Sequence, residues 1–381
     1  MSENNAIKAG GPAGESPGHG VNLSFFSRAL AAVRRRVRPR LATADRCLRH
    51  IAGPSSFLSS LYYALFSRAF GREHRGVLAG RKRFAEETAR PRGSSAFLRR
   101  STHRLEKGLL MRPRRPVFGL DFIREMVDCY ERALELAAGR DCCGDAELQW
   151  PHEVLAEYFK VVASHPRVDP LKERFSALPM PTNGDARATC VPYRRDLSTA
   201  SPISYDELLQ LSIHRRSVRW FQQRAVPREM IDKAIKIAAL SPSACNRQPF
   251  EFRVFDDPGW VRKVANSPYG TSGYADNIPV MIVVVGQLRC YSEERDRHLI
   301  YIDGALASMS LLYALEVQGL SSCCINWPDV EERERELAGL MNLDPDERGI
   351  MLIAAGYPDP EGMVASSRKK PLDAIRRYNF E

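Results

Sequence analysis

Three polar clusters in the second half of the chain carry side chains suited to holding a ligand. The first is RRSVRWF at 215–221, where Arg215, Arg216 and Arg219 surround Ser217. Guanidinium forks beside a hydroxyl suit a phosphate monoester, because each fork donates parallel charge-assisted bonds to phosphate oxygens. The alternative is a group of arginines on a solvated helix end. The second is SPSACNRQPF at 241–250. After Pro242 it offers Ser243, Asn246 and Gln248, a mixed set of donors and acceptors on one turn. A chain of hydroxyls or the edge of a heterocycle needs such partners. The alternative is a proline-rich turn whose side chains cap their own backbone. The third is RKK at 368–370, where Arg368, Lys369 and Lys370 add positive charge; alone it reads as a solvated tail.

The elements around these clusters follow from periodicity. A short helix over 204–217 leads into the arginines, and a second starts near Pro227 and runs to Leu240. FEFRVF at 250–255 alternates as a strand, followed by a helix around 258–265. IPVMIVVVG at 278–286 is continuous and β-branched, as in a strand buried on both faces. A long helix over 299–319 stops at Gly319, a strand over 322–326 leads into a helix over 331–341, and a strand over 349–357 comes last. This order is α+β.

The order R-R-S-x-R-x-F, about 20 residues, S-P-S-x-x-N-x-Q-P-F, a long helix ending in G-L, then G-Y-P and a basic tail resembles the nitroreductase family of flavin enzymes. The resemblance covers about 203–381, slightly under half of the chain. It implies a nitroreductase-like central mixed sheet flanked by helices, and an intertwined homodimer with FMN at the interface. By position, Arg215, Arg216, Ser217 and Arg219 resemble residues that hold the FMN phosphate and ribityl chain. Pro242, Ser243, Asn246 and Gln248 resemble the loop that meets the ribityl hydroxyls and the ring. Arg368 and Lys370 resemble basic residues that return to the phosphate. Arg247 falls at a variable position and is not assigned. The implied activity is hydride transfer from NADH or NADPH through flavin N5 to a small-molecule acceptor, nitroaromatic- or quinone-like in vitro. Flavin-fragmenting and dehalogenating enzymes are related variants. The cofactor carries the redox chemistry, which accounts for the lack of a Ser/His/Asp signature; no catalytic side chain is assigned. His214, beside the arginines, reads as a structural helix-end histidine. Cys323 and Cys324, in CCINW, lie where relatives have glycine-rich flavin contacts, and either line the site or are small buried residues. Substrate choice is expected from 258–277, where Tyr269, Gly270, Tyr274 and Asn277 carry no readable signature.

The net charge of +10 is unevenly spread: residues 1–120 hold 24 Lys+Arg against 7 Asp+Glu, and the remainder holds 32 against 39. The basic half suits an acidic partner, either an anionic membrane or an acidic protein, through 24–120. No nucleic-acid module is recognised. The apolar run SFLSSLYYALF at 56–66 is too short to span a bilayer and reads as an amphipathic helix, solvated or lying on a membrane surface near Arg34, Arg35, Arg36, Arg38 and Arg40. Nine cysteines, with Cys142–Cys143 and Cys323–Cys324 adjacent and no C-x-x-C, argue against a disulfide framework or zinc site. They fit reduced thiols in a cytoplasm, peripheral to the inner membrane surface if the basic half meets lipid.

By composition, 1–23 is a disordered tail and 179–202 a linker; apolar spacing makes 24–178 a basic helical region, and the resemblance implies that 203–381 is the FMN-binding domain. Helices are expected over 24–37, 121–137 and 153–164. His103, Arg104, Glu106 and Lys107 sit at helical spacing with Gly108 as a stop. That segment reads as a lid or docking surface bringing His103 or Lys107 to the flavin site, or as an interdomain salt-bridged helix. For the whole chain, the second reading is a scaffolding or membrane-targeting protein in which the flavin fold serves for dimerisation or sensing.

Overall fold

A computed structural model describes residues 44–67, 69–91, 95–137, 144–181 and 190–379. The tail 1–23, the helix expected over 24–37, the arginines from Arg34 to Arg40, Cys142, Cys143 and part of the 179–202 linker lie outside the described residues. The chain divides into two compact units, Met1–Phe70 and Gly71–Glu381.

In the first unit, α1 covers 44–52 and α2 covers Ser56–Phe66. Ser55 caps α2 by accepting the Leu58 amide at 3.3 Å, and the Tyr62 hydroxyl donates to Asp45 in α1. No residue of α2 is buried.

The second unit begins with four helices that share one apolar core: α3 (Gly71–Ala89), α4 (Ala96–Leu110), α5 (Ile123–Ala137) and α6 (Gly144–Val161), followed by the short α7 (Asp169–Ser176). Leu98 and Leu105 of α4 meet Met126 and Tyr130 of α5 and Leu155 and Tyr158 of α6, all fully buried. Two expectations need correction here. The helix expected to begin at 153 already runs from Gly144, through Pro151. The lost amide of Pro151 is outweighed by burial of Leu148 on the same core as Leu155. Gly108 does not stop α4, which continues to Leu110. A Cβ at position 108 would overlap the Phe118 ring, so this glycine provides close packing.

The remaining elements are α8 (Tyr205–His214), α9 (Arg228–Ala239), β1 (Phe250–Phe255), α10 (Pro258–Ala265), β2 (Val280–Gln287), α11 (Leu299–Glu316), β3 (Ser321–Asn326), α12 (Glu331–Met341) and β4 (Glu347–Gly356). The strands form one sheet in the order β1-β2-β4-β3, every ladder antiparallel. The parallel component of the expected mixed sheet is one bridge, Ser217 to Ser322. Every residue from Val280 to Gly286 is buried, as the β-branched run implies. Alternate residues serve opposite cores. Met281, Val283 and Val285 pack with Leu352, Cys323, Ile325 and α10, whereas Ile282 and Val284 pack with Ile353, Ala307, Leu311 and Leu315 under α11.

The helical half is joined to the sheet half by close contact. Gly80 of α3 lies over the backbone of Leu288, just past β2, and Val77 shares a small core with Leu288, Tyr291 and Ile300. Arg348 of β4 donates to the Arg72 carbonyl at 2.9 Å.

Candidate functional site

The arginine cluster begins where α8 ends. Ser204 and Glu207 form a capping box at the start of this helix. At its end, His214 Nδ1 lies 2.9 Å from Glu316 Oε1 on α11. The expected structural role of His214 therefore has a concrete partner. Arg215 follows as the C-cap and turns the chain into an extended path. That path is pinned at three points. The Val218 amide donates to the Ser322 carbonyl at 3.1 Å, the Phe221 amide donates to Asn277 Oδ1 at 2.6 Å, and Asn277 Nδ2 donates back to the Phe221 carbonyl at 3.2 Å.

These constraints bring Arg215, Ser217, Arg219, Tyr274 and Cys323 into one neighbourhood. Arg219 lies 5.9 Å from the centre of the Tyr274 ring. The Cys323 thiol faces the Ser217 hydroxyl and the Tyr274 phenol. Among the described residues, Arg215, Arg216 and Arg219 form no ion pair with a carboxylate, and Ser217 is exposed. The Nε of Arg215 and the Oγ of Ser322 are buried with no hydrogen-bond partner. Orphaned buried donors beside uncompensated charge are rare unless a ligand completes them. Burial pushes the Cys323 thiol above its ordinary range, with Arg219, Tyr274 and Ser217 opposing. It is held as a neutral thiol and lines the cluster, while Cys324 is exposed.

The SPSACNRQPF loop joins α9 to β1. Three of its non-glycine residues adopt left-handed backbone: Cys245 at φ 54°, Asn246 at 52° and Gln248 at 49°. Each costs about 1–2 kcal/mol relative to ordinary backbone. The surroundings hold the loop in this form. Asp303 Oδ2 accepts the Ala244 amide at 2.9 Å and the Tyr291 hydroxyl at 3.3 Å. The buried Arg247 donates to the Ala244 carbonyl at 3.1 Å and to the Cys290 carbonyl at 3.3 Å, and its guanidinium lies 4.3 Å from the centre of the Tyr291 ring. Arg99 of α4 donates to the Asn246 carbonyl at 2.8 Å. Within the loop, the Gln248 amide donates to Ser243 Oγ at 3.1 Å, and Gln248 Nε2 donates to Asn246 Oδ1 at 3.0 Å. This leaves the Ser243 hydroxyl proton, the Asn246 side-chain amide protons and the Gln248 side-chain carbonyl for a ligand. Pro242 is exposed at the mouth of the loop.

Arg368 and Lys370 are exposed on the tail, and no hydrogen bond or ion pair ties them to the arginine cluster among the described residues. His103 lies 3.5 Å from Glu106, which also accepts from Trp150 Nε1 at 3.0 Å, and Lys107 is exposed. It is Arg99, one turn before His103, that reaches the loop.

Sequence reasoning missed Arg99, Asp303 and the bracing role of Arg247. Asp303 had a legible signal: it is the only charged residue between Leu299 and Leu315. Tyr274 and Asn277 came from a segment without a signature, yet they fix and flank the arginine stretch.

The donor set fits a phosphorylated flavin. Arg215, Arg216, Arg219 and Ser217 would hold the phosphate, with the orphaned Arg215 Nε and Ser322 Oγ available beside them. Ser243, Asn246 and Gln248 would meet the ribityl chain and ring, for which bound FMN would supply reversible two-electron chemistry. The nitroreductase family model matches residues 213–267 and 260–357 of this chain.

Among relatives, the chain is 28% identical to iodotyrosine deiodinase 1 of Pongo abelii over 197 residues, 44% of this chain and 67% of the relative. It is 28% identical to iodotyrosine deiodinase of Hydra vulgaris over 249 residues, 57% of this chain and 89% of the relative. It is also 28% identical, over 156 residues, to a protein of Archaeoglobus fulgidus that carries the name NADH dehydrogenase/NAD(P)H nitroreductase, covering 41% of this chain and 88% of that one. A solved FMN-dependent nitroreductase from Clostridium difficile R20291 superposes with a TM-score of 0.39 at 21% identity, over 45% of this chain and 99% of that one.

Proposed function

We propose that this protein is an FMN-dependent oxidoreductase that passes reducing equivalents from NADH or NADPH to a small-molecule acceptor. The observation that carries this reading is the uncompensated cluster of Arg215, Arg216 and Arg219, with an orphaned Arg215 Nε. A doubly charged phosphate offers the partner that these groups lack. The neutral loop residues complement an uncharged ribityl chain and ring. The test is to purify the full chain, record its visible spectrum, and add NADH or NADPH without oxygen. A flavin spectrum that bleaches with at least one nucleotide is expected. Absence of bound flavin after reconstitution with FMN would overturn the reading, and a bound flavin that neither nucleotide bleaches would overturn the choice of reductant.

The two iodotyrosine deiodinase relatives favour a second reading of the acceptor. In a reductive dehalogenation, an aryl halide and NAD(P)H would yield the arene, halide ion and NAD(P)+. Halide release from a halogenated phenol, measured beside nitroaromatic and quinone reduction, separates the two.

Two partners belong to this proposal. The outer face of α11 exposes Tyr301, Ile302, Leu306 and Met309, although the helix is apolar nearly all round. A second copy of the chain would cover this face and bring Arg368 and Lys370 to the neighbouring phosphate. In the first unit, the uncharged α2 exposes Phe57, Leu61 and Leu65 at four-residue spacing opposite Ser56, Ser59 and Ser60. With the basic sequence before it, this helix suits the surface of an anionic membrane. Co-sedimentation of the full chain with anionic but not neutral vesicles would support that partner; equal or absent binding to both would remove it.

A further inference from the structure

We infer that Arg99, on a helix outside the family-matched residues, is a positioning residue that locks the SPSACNRQPF loop into its ligand-binding form. The inference rests on the proposed flavin reading for what the loop binds, and on geometry alone for how the loop is held.

The Arg99 guanidinium is desolvated, and burial pulls it below the ordinary guanidinium range, with Glu147 opposing. Desolvating a cation is costly unless its donors are satisfied. Its Nε donates at 2.8 Å to the carbonyl of Asn246, and its Cζ lies 5.2 Å from the centre of the Trp150 ring. The accepting residue is one of the three left-handed residues. Turning Asn246 back to ordinary backbone would swing this carbonyl away and strand the cation. The left-handed form thus has a charge-assisted bond that the relaxed form lacks, which offsets the local strain. On the ligand side, the same residue shares the Gln248 side-chain amide through its Oδ1. Arg99 therefore acts through the backbone of Asn246 on two side chains that it does not touch.

The helix carrying Arg99 is itself well fixed. Ser95 caps α4 by accepting the Leu98 amide at 3.3 Å, and Leu98 and Leu105 are fully buried. A rigid helix can hold a loop against strain where a mobile one cannot. The helical half thereby contributes to a site whose other residues come from 213–357.

The experiment uses the full chain with R99A, R99K and, as a control on the same helix, R104A, whose side chain faces Asp121 and the Phe122 ring. Two quantities are read: amide hydrogen exchange across 243–248 without added flavin, and the FMN dissociation constant from flavin fluorescence quenching. R99A is expected to speed exchange at Ala244 and Gln248 at least tenfold and to weaken FMN at least tenfold. R99K is expected to recover most of both, and R104A to leave both near wild type. Unchanged loop exchange in R99A would overturn the inference, as would an equal effect of R104A. If the wild-type chain binds no FMN, the flavin reading fails, and the exchange measurement still decides the role of Arg99.

Discussion

Asp303 Oδ2 receives the Ala244 backbone amide at 2.9 Å and the Tyr291 hydroxyl at 3.3 Å, joining the N-terminal part of α11 to the start of the ligand loop. Asp303 is buried, and desolvation raises its carboxyl above the ordinary range, with these two donors opposing. D303A would leave both donors unsatisfied, which costs about 1–3 kcal/mol for each buried group. D303N keeps an acceptor oxygen. The expected order of FMN affinity and thermal stability is wild type, then D303N, then D303A, checked by fluorescence titration and melting. D303A equal to wild type would show that the link is idle.

The arginine cluster makes a second prediction. R215A and R219A should each weaken FMN by about 1.5–3 kcal/mol, the range for hydrogen bonds to charged groups. Riboflavin, which has no phosphate, should bind wild type and variants alike. Isothermal titration with both ligands checks this, and an equal loss for riboflavin would place the arginines elsewhere than at the phosphate.

Gly80 tests the seam between the halves. A Cβ there would stand 2.7 Å from the Leu288 carbonyl carbon and 2.9 Å from its oxygen, both backbone atoms. G80A is expected to cost about 1–3 kcal/mol through overpacking. Gly339 in α12 has nothing within 4 Å of such a Cβ, so G339A should be neutral or stabilising by up to about 1 kcal/mol. Denaturant melts of the two variants should move in opposite directions or differ by at least 1 kcal/mol.

His152 supplies a pH dependence. Its Nδ1 lies 2.8 Å from the Tyr130 hydroxyl, and burial lowers its basicity, with Glu153 opposing. The folded state therefore binds this proton less readily than the unfolded chain. The stability contributed is present above the unfolded value, about 6.5, and is lost as pH falls through the lower folded value. Thermal melts should show this loss on the acid side, and H152Q should flatten it. An unchanged acid limb in H152Q would assign the dependence to other groups.

The exposed face of α11 bears on assembly. In the proposed dimer, L306E should shift the full chain towards monomer in sedimentation velocity and weaken FMN, because the interface would supply Arg368 and Lys370. A dimeric L306E with unaltered affinity would move the interface elsewhere.

Much of the sheet half was legible because its signals are local. The β-branched run of β2, the alternation of β1 and the charge-dense end of α8 each announce themselves within ten residues. Bracing of the loop was not legible, because it depends on contacts far apart in sequence. Nothing near Arg99 marks it out from Arg100 or Arg104; only the packing of α4 decides which guanidinium is desolvated. The start of α6 was not legible for a related reason: it runs through Pro151, a strong local breaker overruled by buried neighbours on both sides. Asp303 lay between these cases, a lone charge in an apolar helix whose purpose needed the loop in view.

Arg99 and Asn246 are 147 positions apart in the chain. At a synthesis rate of roughly 5–20 residues per second, Arg99 is synthesised roughly 7–30 s before its acceptor. During that interval its guanidinium must remain hydrated, and the face of α3 that later covers Leu288 has nothing to cover. The order of synthesis thus makes the ligand loop a late closure: the early helices wait as an unfinished socket, and the turn through Asn246 completes it.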